Sequence, residues 1–136
     1  MRRIGTAVLA VVALTSFPAL AEEPREIAER LDVTSFPNST GPRREDGLFT
    51  LADYGFTEVA VDGQAVRFTD PEDGWVFTVT VLAGRNGRLW LCVADKAGNG
   101  GSYDTVKAIE VVEGATGLWH ATANRVVNSD CEERGE

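Results

Sequence analysis

Catalysis needs a nucleophile, a base or a metal held in a shaped pocket, and few residues of this chain offer one. The only histidine, His120, sits between Trp119 and Ala121 in a stretch that alternates like a β-strand. On the side of Leu118 and Thr122 it could act as a general base with an Asp or Glu from a neighbouring strand. A lone strand histidine is more commonly half-exposed or bonded to backbone. Beyond residue 21, Ser35, Ser39, Ser102 and Ser129 all fall in loop-type sequence, and none has the Gly-x-Ser-x-Gly elbow of a serine hydrolase.

The acidic residues Asp70, Glu72 and Asp73 raise the thought of calcium. The spaced ligands and closing Glu of a calcium loop are absent, so a solvated turn is the expectation. Two cysteines and one distant histidine are poor zinc spacing. With twenty-one Asp and Glu in the chain, any two could be paired as in a glycosidase, which makes each uninformative. The run Ala97-Gly98-Asn99-Gly100-Gly101-Ser102 lacks the Gly-Lys-Ser/Thr of a phosphate loop and leads into a strand, not a helix. It reads as a flexible connection, with Tyr103 at its end able to contact a partner. No catalytic residue, metal or cofactor is expected.

Two other sets of residues carry information. Cys92 and Cys131 form an even count, and in an exported chain that points to one disulfide pinning the C-terminal tail. Trp75, Trp90 and Trp119 are many for so short a chain. They are expected mainly in the core, with an apolar-ligand pocket as the alternative.

The elements that must position these residues centre on a hairpin. Trp75 to Ala83 and Arg88 to Ala94 read as strands joined at Asn86-Gly87, the favoured pair for a type I′ turn. That turn pairs Arg85 with Arg88, Ala83 with Trp90, Val81 with Cys92 and Val79 with Ala94. Trp75, Phe77, Val79, Val81, Trp90 and Cys92 would then share one face, with Leu89, Leu91 and Val93 on the other. Since neither face is polar, the hairpin is expected in mid-sheet. A second hairpin, Thr57 to Val61 and Ala65 to Thr69, is expected around Asp62-Gly63, and a third joins Thr105 to Val112 with Leu118 to Ala123.

Ahead of these, Pro24 to Leu31 suits a two-turn helix that must dock on the sheet. Thr34 to Asp46 reads as a loop or arm with Pro37 and Pro42. Asn38-Ser39-Thr40 there is read as a chance match to the glycosylation pattern. Leu48 to Phe56 is read as a short strand kinked at Gly55, with a capped helical turn as the alternative. The fold expected is mainly β: a small antiparallel meander forming a sandwich or partly closed barrel, with one short N-terminal helix.

Residues 1–21 combine Arg2-Arg3, an apolar run and Ala19-Leu20-Ala21, the pattern of a secretory signal peptide. Residues 22–47 would hold the helix and arm, and residues 48–136 the β domain. Past residue 21 there are eleven Lys and Arg against twenty-one Asp and Glu, a net charge of −10. That balance argues against nucleic acid and anionic lipid and permits a protein or cationic partner. No apolar stretch is long enough for a membrane span. The functional expectation is a periplasmic or secreted, non-enzymatic binding or inhibitor-like module for a protein or envelope partner, using loops such as Thr34 to Asp46 and Asp95 to Asp104. The alternatives are a carrier with a tryptophan-lined cavity and an enzyme using His120.

Overall fold

A computed structural model describes residues 22–37, 40–98 and 100–135. Helix α1 (Pro24–Glu29) leads into β1 (Leu31–Asp32), followed by β2 (Glu58–Asp62), β3 (Ala65–Thr69), β4 (Val76–Arg85), β5 (Arg88–Lys96), β6 (Asp104–Glu113) and β7 (Trp119–Ala121). The seven strands form one sheet in the order β1-β7-β6-β5-β4-β3-β2, curled into a half-barrel. From β2 to β7 it is the expected antiparallel meander. The two residues of β1 cross over to pair parallel with β7, which makes the sheet mixed. The signal peptide expectation and Asn38-Ser39 lie outside the described residues.

Asn86 (φ 53°) and Gly87 (φ 75°) form the turn between β4 and β5, and Arg85↔Arg88 and Ala83↔Trp90 pair as the turn dictates. Beyond that the expected register is wrong. A β-bulge between Val81 and Ala83 adds one residue to β4, so Val81 pairs with Leu91, Thr80 with Cys92 and Val79 with Val93. Because strand side chains alternate, a slip of one residue exchanges the faces of β5. Leu91 and Val93 therefore join Phe77 and Val79 in the core, while Trp90 and Cys92 face outward. In the second hairpin Asp62 pairs with Ala65, so the turn is Gly63-Gln64 rather than Asp62-Gly63.

The concave face is filled by side chains from α1 and the segments that follow it. Ile27, Ala28, Leu31 and Val33 come from α1 and its extension, and Phe36, Leu51 and Phe56 from the segment after it. Phe36 stacks on Phe77 with ring centroids 6.2 Å apart, and Phe56 meets Phe77 edge-on at 6.3 Å. The arm thus contributes Phe36 to the core. Leu48 to Phe56 is not a strand, since the capped turn wins: the Asp53 carboxylate accepts from the backbone N–H groups of Phe49 and Thr50, both at 3.0 Å. Phe56 N–H donates to Leu51 O and Gly55 N–H to Ala52 O, a Schellman closure that requires the positive φ of Gly55 (93°). These bonds, Thr50's first and then Phe49's, hold the Asp53 carboxyl below its ordinary value.

The convex face carries the tail. Cys92 and Cys131 are bonded, with Sγ–Sγ 2.07 Å. β7 pairs with β6 only over Val111 to Glu113, so the other half of that β6 edge is open to the tail. Val106 and Arg134 exchange backbone hydrogen bonds at 2.9 and 3.1 Å, and Glu133 accepts from Ala108 N–H at 3.0 Å.

Candidate functional site

At one end of the half-barrel lies a cleft of about 580 Å³, lined by the arm, the capped turn, the Asp70–Gly74 turn and the end of the loop before β6. Its residues are positioned by turn chemistry. Asp70 Oδ1 accepts from Glu72 N–H at 2.9 Å and Asp73 Oδ1 from Trp75 N–H at 2.8 Å, the local bonds that make Asp a turn residue. They deliver Trp75 to the start of β4. Gly74 and Gly98 then touch backbone to backbone: a Cβ on Gly98 would fall 1.7 Å from Gly74 O. Only glycine permits that approach, and it draws the loop after β5 against the turn before β4. Ala97 N–H closes the loop on Tyr103 O at 2.9 Å. The result is a Trp75–Tyr103 pair, ring centroids 5.7 Å apart and tilted by 41°.

Beneath this pair is Asp95, 2% exposed. It accepts from the Trp75 indole N–H on Oδ1 and from Gly41 N–H on Oδ2 at 2.8 Å. One buried carboxylate thus ties the platform to the arm. Burial pushes its carboxyl above the ordinary value, against the opposing pull of the Trp75 and then the Gly41 hydrogen bond. Arg43 and Arg44 of the arm also line the cleft, as do Tyr54, Asp70 and Asp73. Tyr54 is oriented by Glu45 N–H, which donates to its hydroxyl at 3.0 Å.

The other tryptophans lie elsewhere. Trp90 is on the convex face and donates from Nε1 to Glu110 Oε2 at 3.1 Å. Glu110 also takes Arg88, Asn124 and Thr122 on Oε1, at 2.8, 2.8 and 2.9 Å. These donors, Asn124 foremost and with Trp90, Thr122 and Arg88 added, hold its carboxyl down to about 2 despite desolvation. Trp119 is buried in the core, and its Nε1 has no hydrogen-bond partner among the described residues. The expectation that Trp75 and Trp90 share a face is overturned by the bulge, and the three rings form no common cavity.

His120 does meet a carboxylate from the neighbouring strand. Its Nδ1 is 3.1 Å from Asp32 Oδ2, and Asp32 also accepts from Thr34 N–H at 3.0 Å. The other edge of the ring packs on Gly114, where a Cβ would come within 2.7 Å of Nε2. The nearby Ser35 hydroxyl is committed, donating to Asp32 O at 2.6 Å and accepting from Ala121 N–H at 2.8 Å. This geometry fastens β1 to β7, and His120 does not line the cleft. Among the described residues no three His, Cys, Asp or Glu side chains gather as metal ligands would.

Four residues that belong to no motif matter here: Arg43, Arg44, Asp95 and Glu110. The signal for the two acids is present in the sequence. Asp95 keeps the parity of Leu91 and Val93 in β5, and Glu110 interrupts the apolar run Ala108 to Val112. An acid at such a position must find donors when it is buried.

Compared with protein families, characterised proteins and solved structures, the chain matches none.

Proposed function

We propose that the protein is an exported, non-catalytic binding domain whose working surface is the cleft around Trp75 and Tyr103, and that its partner belongs to the cell envelope. The observation that carries this reading is convergence: two loops some sixty residues apart in the chain, the arm and the loop ending at Tyr103, line one cleft. Its aromatic platform is anchored from below by Asp95. A site on loops held by a rigid sheet is the usual way a small domain binds. The export half of the reading is supported by the leader-like residues 1–21 and by the Cys92–Cys131 bridge. Among the described residues no helix is long and apolar enough to cross a membrane.

The test compares residues 22–136 with a Trp75→Ala/Tyr103→Ala variant, each immobilised and exposed to envelope extract. The native domain should retain a component that the variant, still folded by circular dichroism, retains at less than a tenth of that level. Equal retention by both would place the partner away from the cleft. The apolar lining favours a carrier as the second reading, now with Trp75 as the only tryptophan involved. Displacement of the retained component by an apolar dye would support it.

A further inference from the structure

We infer that the cleft takes an acidic saccharide, a sugar ring bearing a single carboxylate. The inference rests on the cleft being the working surface and adds the chemistry of the ligand. The fold leaves cations of the cleft unused. Arg25, Arg30, Arg88 and Arg134 all pair with carboxylates. Arg43 has no hydrogen-bond or ion-pair partner among the described residues, and Arg44 only donates to Phe36 O at 3.4 Å. In a chain with twenty-one acids, two consecutive arginines that line the cleft without a carboxylate partner among the described residues are available to an anion. Arg matches a carboxylate with two parallel hydrogen bonds.

The same cleft holds two acids with spare acceptors. Asp70 and Asp73 each commit Oδ1 to their own turn, and among the described residues neither Oδ2 has a donor. A ligand must therefore bring hydrogen-bond donors as well as its anion, which sugar hydroxyls do. The third feature is Trp75. Its N–H points inward to Asp95, so the half-buried indole offers the cleft only its ring. The negative π-face attracts the slightly positive C–H groups of a sugar face.

Other ligand classes leave part of the site idle. An acyl chain would use the aromatic rings and desolvate Arg43 and Asp70 without partners, which is costly. An inorganic phosphate would use the arginines alone. A long polyanion would be repelled by the net charge of −10 past residue 21. One acidic ring within a neutral saccharide uses all three features.

The experiment screens the domain on a glycan array bearing uronic-acid and neutral oligosaccharides of matched ring number. Hits are then titrated by calorimetry beside adenosine monophosphate and indole-3-acetate. Glycans with a carboxylated ring should bind at least tenfold more tightly than their neutral parents. Arg43→Gln/Arg44→Gln should weaken it at least tenfold, while affinity for the neutral parent glycan, already weak, stays within twofold. Equal binding of neutral glycans, or tighter binding of either non-sugar probe, would overturn the inference and leave the cleft reading standing. Failure of every probe, with envelope retention unaltered in Trp75→Ala/Tyr103→Ala, would overturn both.

Discussion

Asp95 and Glu110 sit on adjacent strands, face opposite sides of the sheet, and do the same job with opposite electrostatics. Each accepts a tryptophan indole N–H, Trp75 for Asp95 and Trp90 for Glu110. Each also ties a less regular segment to the sheet: Asp95 holds the arm at Gly41, and Glu110 holds the start of the tail at Asn124. Asp95 has two donors, too few to offset its burial, and its carboxyl is pushed up. Glu110 has four, and its carboxyl is held down to about 2. The number of donors set against desolvation decides the direction. The tail has a covalent fastening besides, whereas the arm is held by apolar packing and hydrogen bonds such as Ala121 N–H to Ser35 Oγ.

The largest break in this comparison is expected from the disulfide. Cys92→Ser/Cys131→Ser opens a loop of sequence separation 39, for which chain entropy sets a loss of up to about 4 kcal/mol. Urea unfolding should show a large fall in midpoint. Hydrogen exchange should show Val106 and Ala108 unprotected ahead of Gly41, and a uniform loss would mean the tail and arm are not separately fastened. Asp95→Ala leaves the Trp75 indole and Gly41 N–H without their acceptor, at about 1–3 kcal/mol. Here the order should reverse, with the arm opening first and the tail amides unaffected.

Gly98→Ala tests the platform more locally. Its Cβ cannot coexist with Gly74 O, so the backbones must part, at roughly 1–3 kcal/mol. Near-ultraviolet dichroism from the Trp75–Tyr103 pair should change while far-ultraviolet dichroism stays the same.

Acid should move the two carboxylates in opposite senses. Glu110 has a folded value below its ordinary 4.5, so its stabilisation is complete above that pH and is lost as pH falls toward 2. Asp95 has a folded value above 3.8. Its protonated form suits the fold, so its contribution improves as pH falls through that raised value and declines as pH rises. Exchange measured from pH 6 downward should show Thr122 and Asn124 losing protection relative to Gly41. Glu110→Gln should abolish the tail's acid response, and an unchanged response would assign it to another group. The smallest effect should come from Asn86→Ala at the distant turn, about 1 kcal/mol for placing a non-glycine, non-Asn residue at φ 53°. It should alter neither fastening.

Much of the architecture was legible because it depends on local chemistry. Asn86-Gly87 implied the central hairpin, and the three hairpins implied a meander. The candidate site is legible only in outline: Tyr103 and Trp75 stand out by residue type, and the two loops by composition. The grouping of Trp75 with Trp90 failed, because a bulge has no composition signal strong enough to read. Leu82 looks like any other residue of an apolar strand. The two residues of β1 were equally invisible, since so short a strand exists only where β7 offers it an edge.

What the sequence determined by itself is therefore whatever a few neighbouring residues settle through φ, side-chain capping and alternation: the turns at Asn86-Gly87 and Asp70–Gly74, the short helix after Pro24, and the pairing of the only two cysteines beyond residue 21. Tertiary structure alone decided which face each strand residue occupies past the bulge, that the arm contributes Phe36 to the core, and that Asp95 gathers Gly41 and Trp75 from 54 and 20 residues away. Those outcomes depend on register and on burial. Both are properties of the whole packed sheet, and no short window of the chain contains them.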